Sequence, residues 1–329
     1  MKYDIKQAFD SDIPFEVNNF LNYLGTIRGK SKNTIYNYKI DLILFFRFLK
    51  LYKGLVSNNE DFNNIKINDI DNRFIETISL SDIYAFLSFV ENYRHNSAYG
   101  RARKVATLRS FFKYLTGKAK IIKENPTLEL ESPKISKRNP VYLTLDESKK
   151  LLSVIDGPFC ERDYCIITLF LNCGMRLSEL VSIDISKIKG DTLTIVGKGN
   201  KERTVYLNDS CIRAINSYLI ERNKIFDKIH KEDKDALFIS RKLTRINKRT
   251  IELMVKKYVA KAGLSYEKFT PHKLRHTAAT LMYKYGNVDI RSLQQILGHE
   301  SVSTTQIYTH VDDEKLREAV KSNPLNSLE

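Results

Sequence analysis

The sequence predicts a mainly helical chain of two domains, the second mixed α+β with a small antiparallel sheet. Three observations predict it. Apolar residues recur at helical spacing through most of the chain, strict alternation is confined to one stretch around residues 193–207, and a proline-interrupted basic segment follows residue 125. At 329 residues the chain also exceeds the size at which single cores usually stop growing.

Residues 16–51 read as two helices, with Phe20, Leu21 and Leu24 inward in the first and Tyr38, Leu42, Phe45, Phe46 and Leu49 inward in the second. Ser31 or Asn33 can cap the second. The polar, Asn-rich run SNNEDFNNIKINDID predicts a surface connection. A third helix from about Ser81 places Ile83, Phe86, Leu87 and Val90 on one face, and a fourth from about Ser97 carries Ala106, Leu108, Phe111, Phe112 and Leu115.

Three prolines and Lys134, Lys137 and Arg138 then make NPTLELESPKISKRNP an extended basic segment rather than a helix. The domain boundary belongs here, giving a first domain over 1–130, a linker over 131–143 and a second domain over 144–329. Thr144 with Glu147 three residues on is a capping-box signature for a helix through Leu152, and Glu161 to Cys173 reads as a buried helix. Leu193 and Ile195, then Val205 and Leu207, alternate around the basic turn GKGNKE and predict a short antiparallel hairpin. The rest is expected to be helical, without repeats.

Lys and Arg number 54 against 39 Asp and Glu, a net charge of +15, which suits a polyanionic partner: nucleic acid first, a membrane surface second. The four cysteines form no CxxC pair and have no His at zinc spacing, so neither a disulfide framework nor a structural metal is expected. The amino terminus lacks a signal-peptide core, and the longest apolar stretch, Cys165 to Leu171, is far short of a membrane span. A soluble, cytoplasmic protein is the expectation.

Taken singly, the chemically interesting motifs are ambiguous. In GMRLSEL, Arg176 and Glu179 have the i,i+3 spacing of an ordinary surface ion pair. In TPHKLRH, Thr270 can cap a helix with Pro271 first, setting His272 and Arg275 on one face; this suits either an anion or a solvated basic face. Further on, Asp289 caps a helix with Leu293, Ile296 and Leu297 inward; Gly298 ends it, and a short new helix from Ser303 carries Tyr308. With 18 tyrosines in the chain, any one is more often a packed aromatic than a nucleophile.

The set is more specific than its members. In order, Arg176, Lys198, His272 with Arg275, His299 and Tyr308 resemble the catalytic signature of the tyrosine recombinases, the phage integrase family. The spacings of 22, 3, 24 and 9 residues, from Arg176 to Lys198, His272 to Arg275, Arg275 to His299 and His299 to Tyr308, are close to those of the bacterial Xer-type members. So is the wording of GMRLSELV, GKGNKERTV, TPHKLRHTAAT and LGHESVSTTQIYTHV, and the likeness extends upstream to SKNTIYNYKIDL and RKVATLRSFFKYL.

That resemblance implies a C-shaped clamp on duplex DNA, with a helical SAM-like core-binding domain and a mixed catalytic domain. It implies strand cleavage and rejoining through a 3′-phosphotyrosyl bond at Tyr308, with Lys198 as general acid and His299 donating to the phosphate. The residue chemistry agrees. Two guanidinium groups, Arg176 and Arg275, are fork-like donors to phosphate oxygens that stay charged at working pH, and no carboxylate cluster is present to hold metal ions. Tyr308 needs a proton acceptor, and His272 is the candidate; Glu179 is read only as orienting Arg176. The covalent intermediate conserves phosphodiester energy, so no ATP or other cofactor is expected, and GKGNK lacks the Walker pattern.

Arg101, Arg103 and Lys104 on the fourth helix, and Arg245, Lys248 and Arg249 before another helical pattern, can reach phosphates or base edges or simply form solvated faces. The tail VDDEKLREAVKSNPLNSLE carries Leu316 and Val320 four apart, and the resemblance implies a homo- or hetero-tetramer on a double-stranded recombination site, joined by exchange of this tail. Other readings are a type IB topoisomerase or a catalytically silent DNA-binding protein. The biological role stays open between chromosome dimer resolution and mobile-element integration or excision.

Overall fold

The computed structural model describes residues 9–135, 140–197, 202–286, 288–298 and 301–311. The chain divides into two compact units, Met1–Lys137 and Arg138–Glu329.

The first unit is wholly helical among its described residues: α1 (Phe15–Thr26), α2 (Lys32–Tyr52), α3 (Asn72–Glu76), α4 (Leu80–Asn92) and α5 (Ala98–Gly117). Ser31 caps α2 by accepting from the Thr34 amide, and Ser97 caps α5 by accepting from Gly100. Helix α4 begins where Ser79 and Asp82 form a reciprocal capping box. The core is aromatic, with Phe45 edge-on to Phe86 at 5.1 Å and Phe20 edge-on to Phe111 at 5.3 Å.

The Asn-rich run is more than a surface connection, since Ile65, Ile67 and Ile70 are buried beneath it. Its backbone is tied down by α2, where Arg47 donates to the Ile65 carbonyl at 3.1 Å and Lys50 to that of Lys66 at 2.9 Å. Polar neighbours facing solvent hid these three apolar positions from a composition-based reading.

The second unit starts with α6 (Leu145–Ser153), whose Thr144–Glu147 capping box is present, and the buried α7 (Cys160–Cys173). Then come α8 (Leu177–Val181) and a three-stranded antiparallel sheet, β1 (Ile188–Lys189), β2 (Thr192–Val196) and β3 (Glu202–Tyr206). Leu193 pairs with Val205 and Ile195 with Arg203, so the hairpin has the expected alternation, and β1 adds a strand that was not expected. The tip residues 198–201 lie outside the described residues.

Helices α9 (Asp209–Asn223), α10 (Lys248–Lys261), α11 (Pro271–Tyr285) and α12 (Ile290–Leu297) follow, and α7 packs against both α9 and α11. Residues 225–247 are not helical as expected. Short 3-10 turns there are joined by hydrogen bonds such as Ile246 to Phe238 and by Arg222, which donates to the carbonyls of Lys234 and Ala236 at 2.8 Å. A 3-10 turn over Gln306–Val311, not an α-helix, carries Tyr308.

Candidate active site

The site is assembled at the carboxyl end of α12. Asp289 caps the start of that helix, accepting from the Arg291 and Ser292 amides at 2.8 and 3.1 Å, and Gly298 ends it in the left-handed region at φ 63°. The helix leaves the carbonyls of Ile296, Leu297 and Gly298 without partners of its own, at the negative end of its dipole. Each receives one guanidinium. Arg203 donates to Ile296, Arg275 to Leu297 at 2.7 Å and Arg176 to Gly298 at 2.7 Å.

Local geometry delivers each arginine. Gly174 ends α7 at φ 58° and turns the chain so that Arg176 sits at the N-cap of α8; a Cβ at 174 would lie 2.8 Å from Leu297 Cδ2. Arg275, on the second turn of α11, is only 3% exposed and donates to the Gly174 carbonyl at 2.7 Å. Arg203 comes from β3, on the same inward face as Val205.

Glu179 balances these cations. It accepts from Arg176 at 2.7 Å through Oε1 and from Arg203 at 3.1 Å through Oε2, with Arg275 at 3.8 Å. Burial opposes its ionisation, but the Arg176 amide, at 2.8 Å, and the surrounding guanidinium groups prevail and hold its carboxyl below the usual glutamate value. Burial and the repulsion of Arg176 lower Arg275 to about 10, so it stays charged at neutral pH.

Arg176, His272 and Arg275 line one cavity of about 670 Å³, as do Lys248 and Arg249. His272 follows Pro271 in the first turn of α11; Thr270 occupies the N-cap position but makes no side-chain cap bond. Its ring is exposed at the cavity. Partial desolvation, with Lys273, Arg275 and Arg176 nearby, keeps it below the ordinary histidine value and so favours the neutral ring.

Tyr308 is not at that surface. It is 1% exposed, packed with Ala279, Leu293 and Leu297, and its hydroxyl lies 2.7 Å from His276 Nδ1, one residue beyond Arg275. Burial raises its phenol to about 12, against the pull of Arg275. The structure therefore sets His276, not His272, against the phenol. Helical spacing made it a second candidate, because His276 is four residues from His272 and shares its face, though spacing does not say which ring meets the tyrosine. Arg203 was equally legible as an inward position on a strand. Lys198 and His299 lie outside the described residues. Among the described residues no group of His, Cys, Asp or Glu could hold a metal ion.

The other expected DNA contacts differ in kind. Lys104 is buried, with its ammonium 3.0 Å from the buried Asp41 that also accepts from Arg103 and Thr107, so it ties α5 to α2 and is not presented to a phosphate. Arg101 is paired with Glu91 at 2.8 Å. Arg245 donates to the Val181 and Ile183 carbonyls and to Asp184 at 2.6 Å. Arg103, Lys248 and Arg249 retain exposed surface.

A helical unit followed by a mixed unit that holds an arginine-lined cavity and a buried tyrosine bonded to a histidine has the parts of a DNA strand-transferring enzyme. The model of the phage integrase family matches residues 141–315, and that of the phage integrase N-terminal SAM-like domain matches residues 17–118. The chain belongs to the phage integrase family and is a site-specific recombinase of the tyrosine type.

The tyrosine recombinase XerC of Caldanaerobacter subterraneus subsp. tengcongensis is 61% identical over 307 residues, 93% of this chain and 86% of the relative. XerD of Proteus mirabilis is 34% identical over 314 residues, 94% of this chain and 91% of that one. Among solved structures, a XerH site-specific recombinase in a post-cleavage complex with a palindromic difH substrate aligns with a TM-score of 0.68 and 25% identity, covering 93% of this chain and 84% of that one. A lambda integrase dimer on a core site shares the fold at a TM-score of 0.61 and 20% identity, over 88% of this chain and 95% of that one. These relatives do not favour the topoisomerase or the silent DNA-binding reading. Among the described residues no helix is long and apolar enough to cross a membrane.

Proposed function

We propose that the chain cuts and rejoins duplex DNA with Tyr308 as nucleophile and with Arg176 and Arg275 holding the non-bridging oxygens of the scissile phosphate. The observation that supports this reading is that both guanidinium groups line one cavity while the hydroxyl of Tyr308 lies 2.7 Å from His276, the residue after Arg275. The Tyr308 oxygen forms a bond to phosphorus as the bond to the 5′-oxygen breaks, leaving a 3′-phosphotyrosyl link. Lys198 gives its proton to the departing 5′-oxygen, and His299 donates to the phosphate. Reversal by a new 5′-hydroxyl joins the exchanged strand and regenerates the tyrosine, with no cofactor consumed. His272, which lines the cavity and whose lowered pKa favours the neutral ring, is read as a donor to the phosphate.

The arrangement of parts follows. Residues 1–130 act as the core-binding domain, 131–143 as a linker and 144–329 as the catalytic domain, with Arg103, Lys248 and Arg249 as DNA contacts. The protein works in the cytoplasm as a tetramer on DNA, linked through its carboxyl-terminal tail, in chromosome dimer resolution or in moving a mobile element. Incubation with a nicked duplex carrying the site selected from random DNA tests the chemistry. A covalent adduct forms with the wild type and not with Tyr308→Phe; an adduct in that variant removes Tyr308 from the reaction.

A further inference from the structure

We propose that His276 is the proton acceptor for Tyr308, taking the phenolic proton on Nδ1 as the tyrosine oxygen attacks phosphorus. The inference rests on Tyr308 being the nucleophile and concerns which histidine serves it. Among the described residues two imidazole rings bear on the question. His272 is exposed at the cavity, and its ring lies edge-on to His276 at 4.6 Å. His276 alone is bonded to the hydroxyl, at 2.7 Å. A base must first be within hydrogen-bond reach of the proton it removes, and only then have a suitable affinity for it. Tyr308 also needs one, since burial holds its phenol at about 12.

The step balances. The Tyr308 O–P bond forms and the P–O5′ bond breaks; the phenolic proton passes to Nδ1 and the Lys198 proton to the 5′-oxygen. On rejoining, the imidazolium returns its proton to the departing tyrosine oxygen. Acceptance at Nδ1 requires the neutral tautomer with hydrogen on Nε2. Among the described residues, the titratable and charged groups at this position include His272 and Arg275 from α11 and Tyr308 from the closing 3-10 turn. Arg176, Arg203 and Glu179 are gathered behind Arg275.

His276→Asn tests this, because the amide oxygen can occupy the Nδ1 position and accept a hydrogen bond without being basic. The measurement is the single-turnover rate of adduct formation on the nicked site from about pH 5.5 to 9, across the titration of a histidine. The wild-type rate should rise through that range. His276→Asn should be at least about tenfold slower at neutral pH and lack the inflection, while His272→Asn keeps it. An inflection surviving in His276→Asn, with Tyr308→Phe inert, overturns this proposal alone. An adduct in Tyr308→Phe overturns it together with the nucleophile reading. Should His276→Asn fail to fold, the Tyr308 ring-carbon resonance in the wild-type protein, assigned by its loss in Tyr308→Phe, serves instead. It should shift through the histidine range, and a flat response overturns the proposal.

Discussion

Glu179 accepts from Arg203 at 3.1 Å, joining the hairpin strand β3 to helix α8 directly behind the cavity arginines. Removing that charge without changing the shape strands the buried guanidinium groups, a loss of about 3 kcal/mol. Glu179→Gln should lower the stability measured by urea unfolding accordingly. It should also change the pH profile. With a carboxyl below its ordinary 4.5, the wild type has this contribution in full above that pH and loses it as pH falls towards the lowered value. The variant should lack that part of the acid sensitivity.

Arg176→Ala and Arg275→Ala should each slow covalent adduct formation by at least about a hundredfold, since preorganised charge at the transition state typically supplies a few kcal/mol. Rates on the nicked duplex measure this; near-normal cleavage by either variant takes that arginine out of the phosphate site. Site binding by gel shift should survive in Arg176→Ala, whose guanidinium is partly exposed.

Lys198→Ala should be inactive on ordinary DNA and recover on a substrate whose leaving 5′-oxygen is replaced by sulfur, because a thiolate departs without a proton donor. Recovery restricted to that substrate identifies the general acid. Cleavage by the wild type should also persist in EDTA, with charge stabilisation coming from side chains.

Gly298→Ala should be disproportionately harmful to activity. Its φ of 63° is a strained position for alanine, and the new Cβ would sit 2.8 Å from Arg203 Cδ and Nε. A stability loss of about 1–2 kcal/mol is expected by thermal melting. Cleavage should fall further than that loss explains, since Arg203 and the Gly298 carbonyl both belong to the arginine array.

Deleting residues 314–329, which lie outside the described residues, should leave a folded protein that binds one site but joins two sites and recombines poorly. Full-rate strand exchange by the truncated chain defeats the proposed tail coupling, and loss of folding would instead indicate that the tail packs on its own domain.

Much of this fold was legible because its signals are local. Ser97, Thr144 and Asp289 each announce a helix start through a hydrogen bond reaching only two or three residues ahead, and Gly298 marks a helix end through its backbone conformation. What stayed hidden depends on long-range packing. Lys104 looked like one more base on a helix, and only the approach of Asp41, 63 residues away, makes it internal. The partner of Tyr308 lies 32 residues back, and no spacing rule says that the tyrosine turn would fold against α11 at His276 rather than His272.

The burial of Tyr308 makes the blade part of the housing. Its ring closes a small apolar layer with Leu293 and Leu297, and that layer fixes where its hydroxyl meets His276. Residues such as Ala279, which pack on the tyrosine and line no part of the arginine cavity, therefore bear on how that hydroxyl is held.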